Sequence, residues 1–180
     1  MKKKILWLVA LIAAAGLIVG AYFLYGYLTE AYSPEAPETV SPHRAPDFTV
    51  LDANGKEVNL SDYFGKPLVV NFWATWCYYC TKEMPDFEDA YREHPEVQFL
   101  MINIADGQQE TVASAKEYIE KMGYTFPVLF DTELDAYRTY GVSGLPFTFF
   151  IDEKGDLVTY CPGAMSRSML EKGIALITED

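Results

Sequence analysis

Two cysteines separated by two residues, Cys77 and Cys80, stand where an apolar run gives way to a helical pattern. The run is Leu68-Val69-Val70-Asn71-Phe72-Trp73, apolar nearly throughout, as a strand buried on both faces of a sheet must be. From Cys77 to about Glu93 the chain reads as helix, with Pro85 predicting a kink. A strand that feeds a helix at this point puts the first sulfur at a helix N-terminus, where unsatisfied N–H groups and the helix dipole stabilise a thiolate. The second sulfur lies one turn in, close enough to attack a mixed disulfide made by the first. A dithiol–disulfide switch at a strand-to-helix junction is therefore the unit around which the rest of the chain has to be arranged.

The remaining pattern supplies a sheet for that junction. Phe48 to Leu51 is a short strand ended by the turn signal Asp52-Ala53-Asn54-Gly55, with a partner around Val58 and Leu60 and a brief turn at Ser61-Asp62. Val97 to Ile104 is a second buried strand. Glu110 to Met122 has a helical period and stops at Gly123. Thr125 to Phe130 reads as strand and Leu134 to Tyr140 as a short helix. Phe147 to Ile151 and Asp156 to Tyr160 flank Asp152-Glu153-Lys154-Gly155 as a hairpin. Ser168 with Glu171 reads as a capping box for a last helix ending near Thr178. The order predicts an α/β fold, a central mixed sheet sandwiched by helices.

The first 45 residues are of another kind. Lys2, Lys3 and Lys4 precede Ile5 to Leu28, 24 residues without a charged side chain. As a helix that stretch would be about 36 Å long, enough for a hydrocarbon core of about 30 Å. The lysines place the N-terminus in the cytoplasm and everything after Leu28 outside. A cleaved signal peptide would have a shorter apolar region, of about 7–15 residues. Length thus favours an uncleaved signal anchor over residues 1–28, although Ala13-Ala14-Ala15 offers small residues for cleavage. No cysteine occurs before Cys77, so lipoprotein processing has no acceptor. Residues 29–45, with Pro34, Pro37 and Pro42 among Glu, Ser and Thr, read as an extended, mobile tether, and residues 46–180 as the folded domain.

Charge narrows the partners. The chain carries −12 formally, and beyond its three leading lysines eleven basic residues face 26 acidic ones. A body that acidic argues against nucleic acid and against an anionic membrane surface. With half its residues hydrophobic and 15% aromatic, the chain has material for a packed core. A lone C-x-x-C is also a zinc half-site, but there is no second pair and the histidines are only His43 and His94, so no metal is expected.

These residues together resemble the thioredoxin superfamily, and closely the membrane-attached TlpA/ResA-like thiol-disulfide oxidoreductases. The resemblance runs from Pro46 to Asp180. It rests on Ala45-Pro46-Asp47-Phe48, Val69 to Ala74, Trp76-Cys77-x-x-Cys80-x-x-Glu83-x-Pro85, Gly141-Val142 with Gly144-Leu145-Pro146, and Phe149-Phe150-Ile151-Asp152. It implies a thioredoxin-like fold with Cys77 as the attacking thiol, Cys80 as the resolving thiol, and a redox-active disulfide between them in place of any cofactor. Pro146 matches the family's cis-proline, against which an extended substrate lies, and Leu145 helps shape that groove. Trp76, Tyr78 and Tyr79 would flank the site, while Trp73 fills core. Disulfide-bearing protein substrates, an integral membrane electron donor and a task such as apocytochrome c maturation are what the family implies.

Glu83 has two readings. The resemblance makes it a residue that tunes the thiols or moves their protons; the plainer reading is an acid in the first turns of a helix, which the dipole favours. Asn71 stands where cytoplasmic thioredoxins carry a buried aspartate, which makes Glu83 the substitute proton handler. Tyr78-Tyr79 replaces a pair whose second member is commonly proline, so redox poise is not inherited. Cys161 is either a third redox thiol or a small buried hydrophobe. Counting back across the hairpin puts it opposite Pro146. Three other functions compete. A disulfide-inserting oxidant would use the same dithiol. A peroxiredoxin-like peroxidase would need a Thr-bearing cysteine loop and an arginine near it. A copper carrier of the Sco type would need C-x-x-x-C and a distal histidine.

Overall fold

The computed structural model describes residues 16, 19–24 and 38–178, with side chains from His43 onward in the last stretch. Apart from the first seven of these, which are helical, the expected anchor lies outside the described residues, as does the tether up to residue 37. No helix among the described residues is long and apolar enough to cross a membrane.

Eight strands of the described residues form one sheet. In chain order they are β1 (Glu38–Arg44), β2 (Thr49–Leu51), β3 (Glu57–Asn59), β4 (Leu68–Trp73), β5 (Gln98–Asn103), β6 (Val128–Phe130), β7 (Phe147–Ile151) and β8 (Asp156–Pro162). Their spatial order is β1-β8-β7-β4-β5-β6-β2-β3. β4 runs parallel to β5, from Leu68 opposite Gln98 to Trp73 opposite Asn103, and antiparallel to β7, with Phe72 opposite Phe147. β6 continues parallel to β5, while β2 joins β6 antiparallel at Leu51 and Phe130.

All six residues of β4 are buried, because helices cover both faces. On one face Val69, Trp73, Phe99, Met101 and Phe150 pack under α1 (Tyr78–Glu93), α2 (Val112–Met122) and α4 (Arg167–Thr178). On the other, Val70, Phe72, Leu100, Ile102 and Phe149 pack with Leu60 of a 3₁₀ turn and Ala136 of the short α3 (Asp135–Thr139). Each large apolar side chain fully buried this way contributes about 1.5–3 kcal/mol. α4 approaches the sheet so closely that a Cβ on Gly173 would overlap the Phe150 ring. α2 ends at Gly123, whose φ of 72° closes a left-handed cap.

The structure corrects several local expectations. β1 occupies Glu38–Arg44, inside the stretch read as a free tether, and pairs antiparallel with β8 as an edge strand. The register shifts between Thr39 and His43, next to Pro42, which has no N–H to donate. α4 begins at Arg167, not after Ser168. Ser166 caps it, its carbonyl accepting the N–H groups of Met169 and Leu170, and Glu171 turns to Arg167 and His94 instead of closing a capping box. α1 runs unbroken through Pro85, leaving the Thr81 carbonyl without its i+4 donor. The β7–β8 hairpin shifts register between Phe150 and Ile151, so Cys161 faces Thr148, and Pro146 faces Gly163, whose N–H it accepts at 2.9 Å.

Candidate active site

β4 ends at Trp73, and the chain turns tightly before α1, with the Cys77 N–H bonded to the Ala74 carbonyl at 3.2 Å. Cys77 then takes the N-cap position of α1. Its Sγ accepts the Cys80 N–H at 3.2 Å, a bond that serine, aspartate or asparagine makes at ordinary helix starts. Cys77 and Cys80 form a disulfide, their Cα atoms 5.3 Å apart. Cys80 is fully buried and Cys77 nearly so.

Around this pair the surface is aromatic. Trp76 is 54% exposed, and Tyr78 and Tyr79 are each 64% exposed. The two tyrosine rings pack edge to face with centroids 5.5 Å apart, and the Lys82 ammonium lies 5.5 Å from the Tyr78 ring centre. Trp73, by contrast, is fully buried against Tyr118. The Leu145–Pro146 peptide is cis. Pro146 immediately precedes Phe147, the partner of Phe72, so the sheet register brings it to the end of β4 from which the cysteine turn departs. Leu145 packs against the cluster that holds both cysteines.

Glu83, one helical turn beyond Cys80, belongs to a buried polar row. Asn71 of β4 donates through Nδ2 to Glu83 Oε1 and to Thr148 Oγ1, both at 3.0 Å. The other oxygen of Glu83 accepts the Met165 N–H at 2.9 Å from the loop before α4. Glu83 is only 4% exposed. Burial pushes its carboxyl up to about 7, against the lowering pull of the Met165 and Asn71 bonds, and the nearby Asp86 adds to the rise. A carboxyl poised near neutral pH, one turn beyond Cys80, can take up or give back a proton under working conditions.

Cys161 continues the row across β8, opposite Thr148, and is buried and reduced. Burial raises its thiol above the ordinary range and the charge of Glu83 raises it further. Both effects disfavour the thiolate that redox chemistry needs.

Two further carboxylates, neither singled out by the sequence, are buried near these elements. Glu88 of α1 accepts the Thr125 N–H and hydroxyl, at 2.8 and 2.7 Å, and so ties the helix to the chain before β6. Glu110 accepts the Thr75 N–H within the cysteine turn. The signal for both is a glutamate beside apolar helical positions, which sequence alone does not separate from a surface acid. The four arginines are engaged elsewhere: Arg44 over Phe64, Arg92 with Glu88, Arg138 with the Glu133 carbonyl, and Arg167 with Glu93 and Glu171.

Known proteins resemble this chain in sequence and fold. Residues 42–160 match the model of the AhpC/TSA family. The thiol-disulfide oxidoreductase ResA of Bacillus thuringiensis subsp. konkukian is 32% identical over 177 residues, 98% of each chain. Among solved structures, the pneumococcal exposed lipoprotein thioredoxin of Streptococcus pneumoniae is 32% identical. It superposes with a TM-score of 0.62 over 71% of this chain and 96% of its own. A thiol:disulfide interchange protein of the thioredoxin family from Chlorobium tepidum is 26% identical, with a TM-score of 0.64 over 78% and 99%. The fold is thioredoxin-like.

Proposed function

The chain belongs to the AhpC/TSA family and to the ResA-type thiol-disulfide oxidoreductases, and from that membership we propose that Cys77 and Cys80 reduce disulfides of extracytoplasmic proteins. In the dithiol form the Cys77 thiolate attacks one sulfur of a substrate disulfide. A Cys77–substrate disulfide forms and the other substrate sulfur leaves as a thiolate. Cys80 then loses its proton to Glu83 and attacks Cys77 Sγ. That step releases the second substrate thiolate and restores the Cys77–Cys80 disulfide, so two electrons pass to the substrate. The observation that carries this reading is the N-cap bond: an acceptor Sγ 3.2 Å from the Cys80 N–H, at the positive end of a 16-residue helix.

Trp76, Tyr78 and Tyr79, with the Leu145–Pro146 edge, form the docking surface in this proposal. Exposed aromatic area beside the Leu145–Pro146 edge suits an extended, partly unfolded polypeptide such as an apocytochrome awaiting its haem. Each turnover leaves the protein oxidised, so a reductant is required. An integral membrane donor, reached through an anchor at residues 1–28, supplies it. Cys161 is assigned no step, because its surroundings hold the thiol neutral.

The test is the equilibrium reduction potential of the Cys77–Cys80 pair, followed by Trp76 fluorescence in thiol redox buffers with Cys77→Ser as the blank. A potential toward about −270 mV is expected of a reductant. One toward about −120 mV would mark a protein that inserts disulfides and would overturn the proposal.

A further inference from the structure

Glu110 is 1% exposed, yet both of its carboxylate oxygens are occupied. Oε2 accepts the Thr75 N–H at 2.5 Å and Oε1 accepts the Ser114 hydroxyl. Its backbone is fixed as well. The N–H donates to Asp106 Oδ1 at 3.1 Å and the carbonyl accepts the Gly107 N–H at 2.9 Å. Ser114 belongs in turn to the cap of α2, where Thr111 Oγ1 accepts its N–H at 3.1 Å. A rigid chain of contacts thus runs from the first turn of α2 through one side chain to Thr75.

Thr75 is the second residue of the turn that presents Cys77, closed by the bond from the Cys77 N–H to the Ala74 carbonyl. In the oxidised protein the disulfide also holds this turn, since it ties Cys77 to α1. Once the disulfide opens, that tie is gone. The non-covalent anchoring of residues 74–77 is then what remains to hold Cys77 Sγ near the Cys80 N–H, 3.2 Å away in the oxidised protein. A thiolate so held loses its stabilising donor if the turn shifts by an ångström.

We propose that Glu110 is the positioning residue of the cysteine turn, holding Cys77 at the helix N-cap in the dithiol state through the Thr75 N–H. This rests on Cys77 being the attacking thiol. Glu110 touches neither sulfur. It acts by where it puts the turn, and it links the site to the loop 105–111 and to α2.

Geometry and charge act in opposite directions on Cys77, which makes the proposal testable. Losing the anchor weakens the thiolate and moves the midpoint of Cys77 alkylation to higher pH. Losing a nearby negative charge moves it lower. Glu110→Ala removes both, whereas Glu110→Gln removes the charge and keeps an oxygen for the Thr75 N–H. With the reduced protein and iodoacetamide as probe, Glu110→Ala is expected to raise the midpoint by about one pH unit. The rate below both midpoints should then fall about threefold, because tenfold less thiolate is part-offset by a more nucleophilic sulfur. Glu110→Gln should stay at or below the parent midpoint. An alanine variant with an unchanged or lowered midpoint would overturn the proposal, as would a glutamine variant that rises like alanine. Should Glu110→Ala not fold, amide exchange at Thr75 in the reduced parent decides: protection is expected, and exchange as fast as a free turn amide sinks the idea. The premise is read separately, since rapid alkylation of the parent that persists in Cys77→Ser would reject Cys77 as the attacking thiol whatever Glu110 does.

Discussion

Glu83 keeps its proton to about pH 7 because burial disfavours its charged form more than the Met165 and Asn71 bonds favour it. The same fact bears on stability. A carboxyl raised from 4.5 to about 7 in the folded protein binds its proton more tightly there than in the unfolded chain. Its contribution to stability is full below pH 4.5 and is lost as pH rises through 7. Glutamine at this position keeps one acceptor for the Met165 N–H and carries no charge. Glu83→Gln is therefore expected to match the parent at pH 5 in urea unfolding and to exceed it at pH 8, by about 3 kcal/mol. Its thiol reactivity should also lose the inflection near neutral pH. A pH profile identical to the parent's would remove Glu83 from the proton path. The cysteines could be read directly from the sequence because their relation is local, three residues apart on one element. Glu110 and Glu88 could not, since the N–H groups they accept lie 35 and 37 residues away and only the folded sheet brings them together.

The same divide between local and remote causes holds for whole elements. β4, α1 and α2 follow from apolar runs and periods that the chain carries in place. The start of α4 is ambiguous in the sequence, since Ser166 and Ser168 both suit an N-cap, whereas in the fold Arg167 reaches across to Asp86 and Glu93 of α1. β1 was invisible because its stability comes from the edge of β8, not from its own composition. The α1–α4 contact also carries a titratable link. His94, the residue that ends α1, lies 3.0 Å from Glu171 of α4 and 3.1 Å from Glu96. Burial lowers the imidazole's affinity for its proton, but the two carboxylates outweigh it, and its pKa stands above 6.5. The charged pairings therefore stabilise fully below about pH 6.5 and fade as pH rises through the folded pKa. His94→Ala is expected to lower the free energy of urea unfolding more at pH 6 than at pH 8.5, by no more than about 1 kcal/mol for partly exposed pairs. An equal loss at both pH values would assign His94 to packing alone.

At the scale of the molecule, an acidic catalytic body is joined in sequence to a short basic start and an uncharged stretch of 24 residues. From residue 46 onward the order of strands and helices reads as an α/β sandwich around a mixed sheet, because the buried strands are apolar, while the thioredoxin-like fold follows from the resemblance carried by the motifs around Cys77, Cys80 and Pro146. The stretch Ile5 to Leu28 bears on where that body works. Three lysines before it resist translocation, while the acidic residues after it do not, so the asymmetry favours an outward-facing domain. The similar pneumococcal protein is an exposed lipoprotein, whereas this chain has no cysteine before Cys77 to carry a lipid. The anchor proposed over residues 1–28 would keep the domain at a membrane without a lipid. Full-length protein expressed in a bacterium is expected to stay with the membrane fraction through alkaline carbonate washing. External protease should then digest the domain in intact spheroplasts. Release of a shorter, soluble form would mean that the segment is a cleaved signal, leaving an unattached reductase that needs a diffusible donor. Protection from external protease would place Cys77 and Cys80 in the reducing cytoplasm and would end the case for extracytoplasmic substrates.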